Sequence, residues 1–404
     1  MFGFGKKNGK RGRQNARYID YPLIVATILL LAYGLVMLYS ASYYDALRVT
    51  KLKSDLFYLK KQLLYVIAAL FVIVILPRFS YRRLFRLSWL VYLVAFLAMA
   101  AVRIPFFGHQ SHGSTRWLDL RIVTLQPSEF GKLAVIVAVP AVVLRLGDKI
   151  EKIWALFLLF AVVGVQAGAC MVFTDNMSTA IIIALIGVAI IFIAYPKPKL
   201  LAGIIGAAAA FSALVLWVIV QFNASNNNFR LKRIFSWLSP EASRTGDGWQ
   251  VTQGLYAIGN GGLLGKGFGN STQKLGWIPE PQNDMIFSIV CEELGILGAG
   301  ILIGLLVYIV FRLVFIAKNA PDLFGSLMVA GVAAHISVQS ILNICVTLRV
   351  IPATGVTLPL VSYGGTALLL QVFELAIALS VSRRIRFPQG EPDREGRRRV
   401  AAAE

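Results

Sequence analysis

Apolar residues run through this chain in long blocks, broken by short charged or Gly/Pro-rich joints. Blocks at 21–43, 61–78, 86–104, 127–146, 152–173, 177–195, 199–222, 284–315, 322–348 and 364–386 each approach or exceed the length a helix needs to cross a hydrocarbon layer. The pattern predicts an all-α, polytopic membrane helix bundle of about ten transmembrane helices. One connection is far longer than the rest, residues 223–283 between spans seven and eight. Connections of that length inside a compact protein are usually functional. Within it Leu231, Ile234, Phe235 and Leu238 keep the spacing of one helical face, with Arg230, Lys232 and Arg233 between them. That is the pattern of a short basic helix lying in a membrane interface.

Composition supports the membrane reading. Of 404 residues, 57% are hydrophobic, and mean hydropathy is +0.70. Soluble domains sit nearer 45–50% apolar. The net charge of +20 is concentrated at the ends, from Lys6 to Arg17 and from Arg383 to Arg399. Positive charge beside a span marks the cytoplasmic side, and an even number of spans returns both termini to it. Residues 1–20 and 387–404 are therefore expected to be basic cytoplasmic tails. Residues 21–386 form the transmembrane domain, with 223–283 as an extracytoplasmic loop. Arg78, Arg82, Lys197, Lys199, Arg312 and Lys318 fit that map, while Arg48, Lys51, Lys53, Lys60 and Lys61 in the first outside loop run against it. The tails suit contact with anionic membrane lipids rather than nucleic acid. The first block is too long for a cleaved signal segment and reads as a retained helix. Cys170, Cys291 and Cys345 all lie in apolar blocks, without the spacing of a metal site or a disulfide framework.

Several motifs bear on chemistry. GNGGLLGKGFGNSTQK at 259–274 fails as a phosphate loop, since Gly267 follows Lys266 where Ser or Thr is required. Its glycines read instead as tight turns bringing backbone close to another element. QPSEFGK at 126–132 opens span four, with Pro127 suited to a first helical turn and Glu129 three residues before Lys132, in reach of an ion pair. Asp175 reads as a helix cap. His335, Gln339 and Asn343 recur every four residues on span nine, as interhelical hydrogen-bonding groups do. PATGVTLPLVSYGG at 352–365 is apolar yet cannot stay helical, and broken backbone at membrane depth persists only where protein or a cavity surrounds it. That makes it the candidate wall for a lipid-bearing substrate. IPEPQNDMIFSIVCEELG at 278–295 carries four acids. Asp284 falls at the start of span eight, placed for aqueous chemistry beside lipid, where partial burial would raise its pKa toward a base's useful range. Glu292 and Glu293 are expected roughly 12–14 Å deeper, facing the bundle because a charge at the bilayer centre costs about 3 kcal/mol.

Together these motifs resemble the SEDS family (shape, elongation, division and sporulation), over about residues 17–386. The resemblance rests on GLVMLYSAS at 34–42, STRW at 114–117, QPSEFGK, DNMSTA, GWQVTQGLYAIGNGGLLGKGFGNSTQK at 248–274, PEPQND, EELG and TGVTLPLVSYGGT. The first and last look more like the division branch than the elongation branch. Departures fall at Pro281, Gln282 and Asn283, at Thr174 and at Arg349.

The resemblance implies a peptidoglycan glycosyltransferase that polymerises lipid II by inverting transfer, working with a class B penicillin-binding protein and other division proteins. It places the proposed catalytic carboxylate on Asp284, the RW arginine on Arg116 and the ExxK pair on Glu129 and Lys132. Arg116, Lys132, Arg230 or Arg233 would hold the undecaprenyl pyrophosphate leaving group, a charge a divalent cation (Mg or Mn) could share. Glu129, Lys266, Gln339 and Ser362 complete the expected substrate-binding set, with no dedicated metal site. Two rivals stand beside this reading, a lipid II flippase and a non-catalytic division scaffold. A flippase needs essential polar groups through the full depth of the bundle; an enzyme needs an essential carboxylate at its outer face.

Overall fold

The computed structural model describes residues 18–48, 54–104, 108–111, 114–119, 124–207, 210, 233, 236–238 and 247–386. The helices are α1 (Tyr21–Arg48), α2 (Phe57–Ile75), α3 (Arg82–Ala101), α4 (Pro127–Leu146), α5 (Ile153–Phe173), α6 (Met177–Ala194), α7 (Pro198–Ala207), α8 (Asp247–Gly261), α9 (Ile286–Lys318), α10 (Leu323–Thr347) and α11 (Gly365–Ser382); all but α8, which lies within the 223–283 connection, fall in the predicted apolar blocks. Nine of the described helices are long and apolar enough to cross a membrane. α7 opens the predicted seventh span, and most of the remainder of that span lies outside the described residues. The same holds for Arg230 and half of the predicted basic helix; Arg233 and residues 236–238 are helical.

The all-α bundle carries one small addition. Gly108–Ser111 (β1), Ser114–Asp119 (β2) and Thr124–Leu125 (β3) form an antiparallel sheet in the order β1-β2-β3. This joint between α3 and α4 is too polar to span, so its backbone groups pair with one another.

α4 is apolar almost all round and is buried over nearly its whole length from Pro127 to Val143, which makes it the central helix. α2, α3 and α5 instead turn Leu64, Phe71, Leu93 and Phe157 outward. Such faces suit a lipid solvent, in which apolar exposure has little cost.

Ion pairs close one end of the bundle. Buried Asp20 accepts from Arg312 Nη2 at 2.7 Å and its own N–H donates to Ser382 Oγ. Asp322 accepts from Tyr81 Oη at 2.7 Å and from Arg82 Nε at 3.0 Å. From Asp20, about 30 Å up α1 at the helical rise, Ser40 Oγ donates to Glu293 at 2.7 Å. From Asp322, about 30 Å up α10, Asn343 Nδ2 donates to the Asp284 carbonyl at 2.7 Å. Asp284 and Glu293 are therefore level, both at the far end of the bundle. This corrects the expectation that Glu292 and Glu293 lie 12–14 Å deeper than Asp284.

A break in α9 frees the run that carries both acids from the axis of the spanning helix. Gly295 has φ 67° and ψ −165°, so Ile286–Leu294 and Ile296–Lys318 are separate helical runs. The Gly-rich turns of 262–267 occupy the break. Ile296 N–H donates to the Gly262 carbonyl, and Lys266 and Gly267 N–H donate to the Glu292 and Glu293 carbonyls. Backbone orphaned by the break is thus satisfied by the loop.

Gly295→Ala would force an L residue into a glycine-only conformation and drive its Cβ onto Gly265 N and Leu263 O. We expect it to destabilise the protein by at least about 2 kcal/mol in detergent thermal unfolding. Gly300→Ala, with open space at its Cβ, should stay within about 0.5 kcal/mol of wild type.

Candidate active site

At the end of the bundle opposite the Asp20 and Asp322 ion pairs lies a cavity of about 570 Å³. β2, α4, α8, the approach to α9, α10 and the broken segment before α11 all contribute to its wall. Arg116, Glu129, Lys132, Asp284 and Gln339, five of the sequence-predicted site residues, line it together.

Pro127 sits in the first turn of α4 and the Glu129 carboxylate follows. One turn on, Lys132 Nζ lies 2.7 Å from Glu129 Oε2. Lys132 is 1% exposed. Its ammonium also donates to Gln339 Oε1 at 2.8 Å. The Gln339 amide is oriented by Nε2, which donates to the Thr357 carbonyl at 3.0 Å. Gln339 Oε1 therefore faces two partners, Lys132 and His335 Nε2 at 2.9 Å. An amide oxygen only accepts, so Nε2 of His335 carries a proton. His335 Nδ1 then meets Glu374 Oε2 at 2.6 Å across a single shared proton. The polar stripe of α10 is thus one chain, Glu129–Lys132–Gln339–His335–Glu374, with Lys132 as its cavity end. Lys132 thus donates a hydrogen bond to Gln339, while Glu129 balances its charge as an ion pair.

Arg116 reaches the cavity from β2. Its half-buried guanidinium holds Nε away from solvent without a hydrogen-bond partner among the described residues. Burial first, then the like charge of Arg233, push its pKa below the ordinary arginine value; Asp175 and Cys170 act the other way. Such a cation is stabilised by an arriving anion. Arg233 itself lies beside the cavity, in a recess with Trp237 and Arg349. Trp237 Nε1 donates to the Arg349 carbonyl and Arg349 Nη2 to the Trp237 carbonyl, each at 3.0 Å.

Asp284 is half-buried at the last turn before α9. Gln250 Nε2, from the first turn of α8, donates to its Oδ1 at 3.1 Å. Behind it, the broken segment has its backbone groups met by protein, as such a segment requires. Asn343 Nδ2 donates to the Val356 carbonyl at 2.7 Å, Gln371 Oε1 accepts from Leu360 N–H at 2.9 Å, and the Gln282 carbonyl accepts from Tyr363 N–H at 2.9 Å. Ser362 belongs to this internal set. Its buried hydroxyl accepts from Leu358 N–H at 2.8 Å and does not line the cavity.

Lys266 also lies apart from the cavity, paired with Glu292 at 2.8 Å. Lys274 pairs with Glu293 at 2.6 Å, and Gly269 N–H donates to the same carboxylate. The two acids left unassigned in sequence therefore clasp the Gly-rich loop. Among the described residues no group of three or more His, Cys, Asp or Glu converges as a metal cage would require. Sequence reasoning missed Gln250, Lys274 and Glu374. Glu374 had a usable signal, a lone carboxylate in the middle of an apolar span, which demands a partner.

Comparison with known proteins accords with this geometry. Residues 21–386 match the sequence profile of the FtsW, RodA and SpoVE cell cycle proteins. The chain is 34% identical over 375 residues to stage V sporulation protein E of Bacillus subtilis, covering 91% of this chain and 98% of the relative. It is 32% identical over 363 residues to a probable peptidoglycan glycosyltransferase FtsW of Trichlorobacter lovleyi, covering 90% and 93%. A chain of a peptidoglycan synthase complex superposes with TM-score 0.73 at 25% identity, covering 90% of this chain and 98% of that one. Rod shape determining protein RodA of Thermus thermophilus shares the fold, with TM-score 0.62. With the ordered motifs, the membrane bundle and the profile match in agreement, the chain belongs to the FtsW, RodA and SpoVE family of SEDS proteins.

Proposed function

We propose that this chain is a peptidoglycan glycosyltransferase of the division branch, polymerising lipid II at the cavity with Asp284 as general base. One observation carries the assignment: a half-buried carboxylate shares a cavity with a buried ammonium and a guanidinium, one of whose buried donors has no partner among the described residues. Relatives named as probable peptidoglycan glycosyltransferases support the activity.

Asp284 accepts the proton of the C4 hydroxyl on the acceptor GlcNAc. That oxygen attacks the anomeric carbon of the donor from the face opposite its leaving group. The bond to undecaprenyl pyrophosphate breaks, and the pyrophosphate departs with both electrons. Arg116 and Lys132, both on the cavity wall, stabilise its growing charge. Neutralised pyrophosphate leaves readily, so no second carboxylic acid is needed. Because no group of three or more His, Cys, Asp or Glu converges among the described residues, a Mg or Mn ion would sit here as a companion of the pyrophosphate. The cavity faces the extracytoplasmic side in this reading, with both basic tails in the cytoplasm. A class B penicillin-binding protein is the proposed partner, supported by the likeness to a peptidoglycan synthase complex.

The polar chain leaves the cavity at Gln339 and ends on Glu374, which is 0% exposed. A headgroup pathway through the full depth would need polar groups lining open space, so the geometry favours catalysis over flipping.

Purified protein with lipid II in detergent, where flipping has no meaning, should form glycan polymer. Asp284→Asn should lower the rate at least about 100-fold. Undiminished polymer from that variant would remove Asp284 from the base role; no polymer from wild type, even with its transpeptidase, would favour the rivals. Lys132→Met should abolish polymerisation and also cost about 3–5 kcal/mol of stability, because Glu129 is left buried and unpaired. Adding Glu129→Leu should restore the thermal midpoint without restoring polymer, separating the structural share of the pair from the chemical one.

A further inference from the structure

A base must be both ionised and aimed, and two amides from different elements meet Asp284. Gln250 on α8 donates from Nε2 to Asp284 Oδ1 at 3.1 Å and to the Pro279 carbonyl at 3.5 Å. Asn343 on α10, 0% exposed, donates from Nδ2 to the Asp284 main-chain carbonyl and to the Val356 carbonyl, each at 2.7 Å. One amide holds the carboxylate and the other holds the backbone that carries it.

We propose that Gln250 and Asn343 are positioning residues for Asp284, with Gln250 fixing the orientation and ionisation of its carboxylate and Asn343 locking its backbone to the broken segment. The inference rests on Asp284 being the base. A hydrogen bond donated to a carboxylate favours its charged form. A neutral amide does this without the strong damping of basicity that an ion pair would bring. Misplacing a reacting group by about 1 Å can cost on the order of 100-fold in rate, so fixing both backbone and carboxylate matters. Because Gln250 lies in the 223–283 connection, the seating of α8 becomes part of the catalytic geometry.

Other groups around the same cavity are Glu280 on the loop of Asp284, Arg116 on β2, Glu129 and Lys132 on α4, Tyr65 on α2, and Tyr363 before α11. None of them is altered by a substitution at Gln250. The pH dependence of polymerisation therefore isolates the contact. Gln250→Met keeps the side-chain length but removes the donor, so the Asp284 carboxylate stays protonated to higher pH. The acid limb of kcat/KM should move up by about one pH unit, with a fall in kcat. Gln250→Glu places a second carboxylate there and should move the limb further in the same direction. Asn343→Leu should lower kcat at least about tenfold while KM stays within about twofold and the limb does not move.

An unmoved acid limb in Gln250→Met would overturn the role of Gln250. A raised KM with intact kcat in Asn343→Leu would overturn that of Asn343. If Asn343→Leu loses its unfolding transition, the Gln250 variants decide the proposal alone. Asp284→Asn assayed alongside keeps the two readings apart. Polymer from Asp284→Asn overturns the base itself. An inactive Asp284→Asn beside an unmoved limb in Gln250→Met overturns only the positioning.

Discussion

A polar group inside an apolar bundle must find its partner within the protein, because the surroundings offer none. Much of the cavity end of this molecule follows from that constraint. Two stretches of backbone leave the helical state there, at Gly295 and between Ile351 and Gly364. Each is met by specific donors and acceptors. The turns of 262–267 fill the first, and Asn343, Gln371 and the carbonyl of Gln282 serve the second. In the second stretch, backbone irregularity that a lipid-exposed helix could not tolerate becomes the wall of a cavity.

The same constraint organises the charges. Lys132 is buried and would be costly alone, so Glu129 and Gln339 hold it, with His335 and Glu374 anchoring Gln339 from behind. Arg116 differs, since one of its buried donors has no partner among the described residues. One cation is thus held by protein and the other keeps capacity for an anion. A pyrophosphate suits that asymmetry, and Asp284, the proposed base, lines the same cavity. Glu292 and Glu293, by contrast, are taken up by Lys266 and Lys274, so their work is to seat the Gly-rich loop. That loop follows directly on α8, which carries Gln250 to Asp284. Glu292, Glu293 and Asp284 thereby belong to one assembly.

Much was determined by sequence alone. Apolar blocks specify membrane helices because burial in lipid depends mainly on length and hydropathy, both local properties. The broken segment was legible because Pro352, Gly355 and Pro359 forbid a helix whatever surrounds them. The Glu129–Lys132 pair was legible because three residues on one helix is a fixed distance. Arg116, Glu129, Lys132 and Asp284 were chosen by ordered motifs and do line one cavity.

What only the tertiary structure decided depends on groups far apart in the chain. The depth of Glu292 and Glu293 was misjudged because the run that carries them was taken as coaxial with the spanning helix; Gly295 separates Ile286–Leu294 from Ile296–Lys318, and the loop at 262–267 supplies the hydrogen bonds lost there. Lys266 and Ser362 carried polar groups suited to a ligand, yet Glu292 and the Leu358 N–H engage them first. Gln250 and Glu374 gain meaning only through Asp284 and His335, 34 and 39 residues away. Local patterning fixes which segments enter the membrane; competition among distant partners for each buried polar group fixes which of them face the cavity.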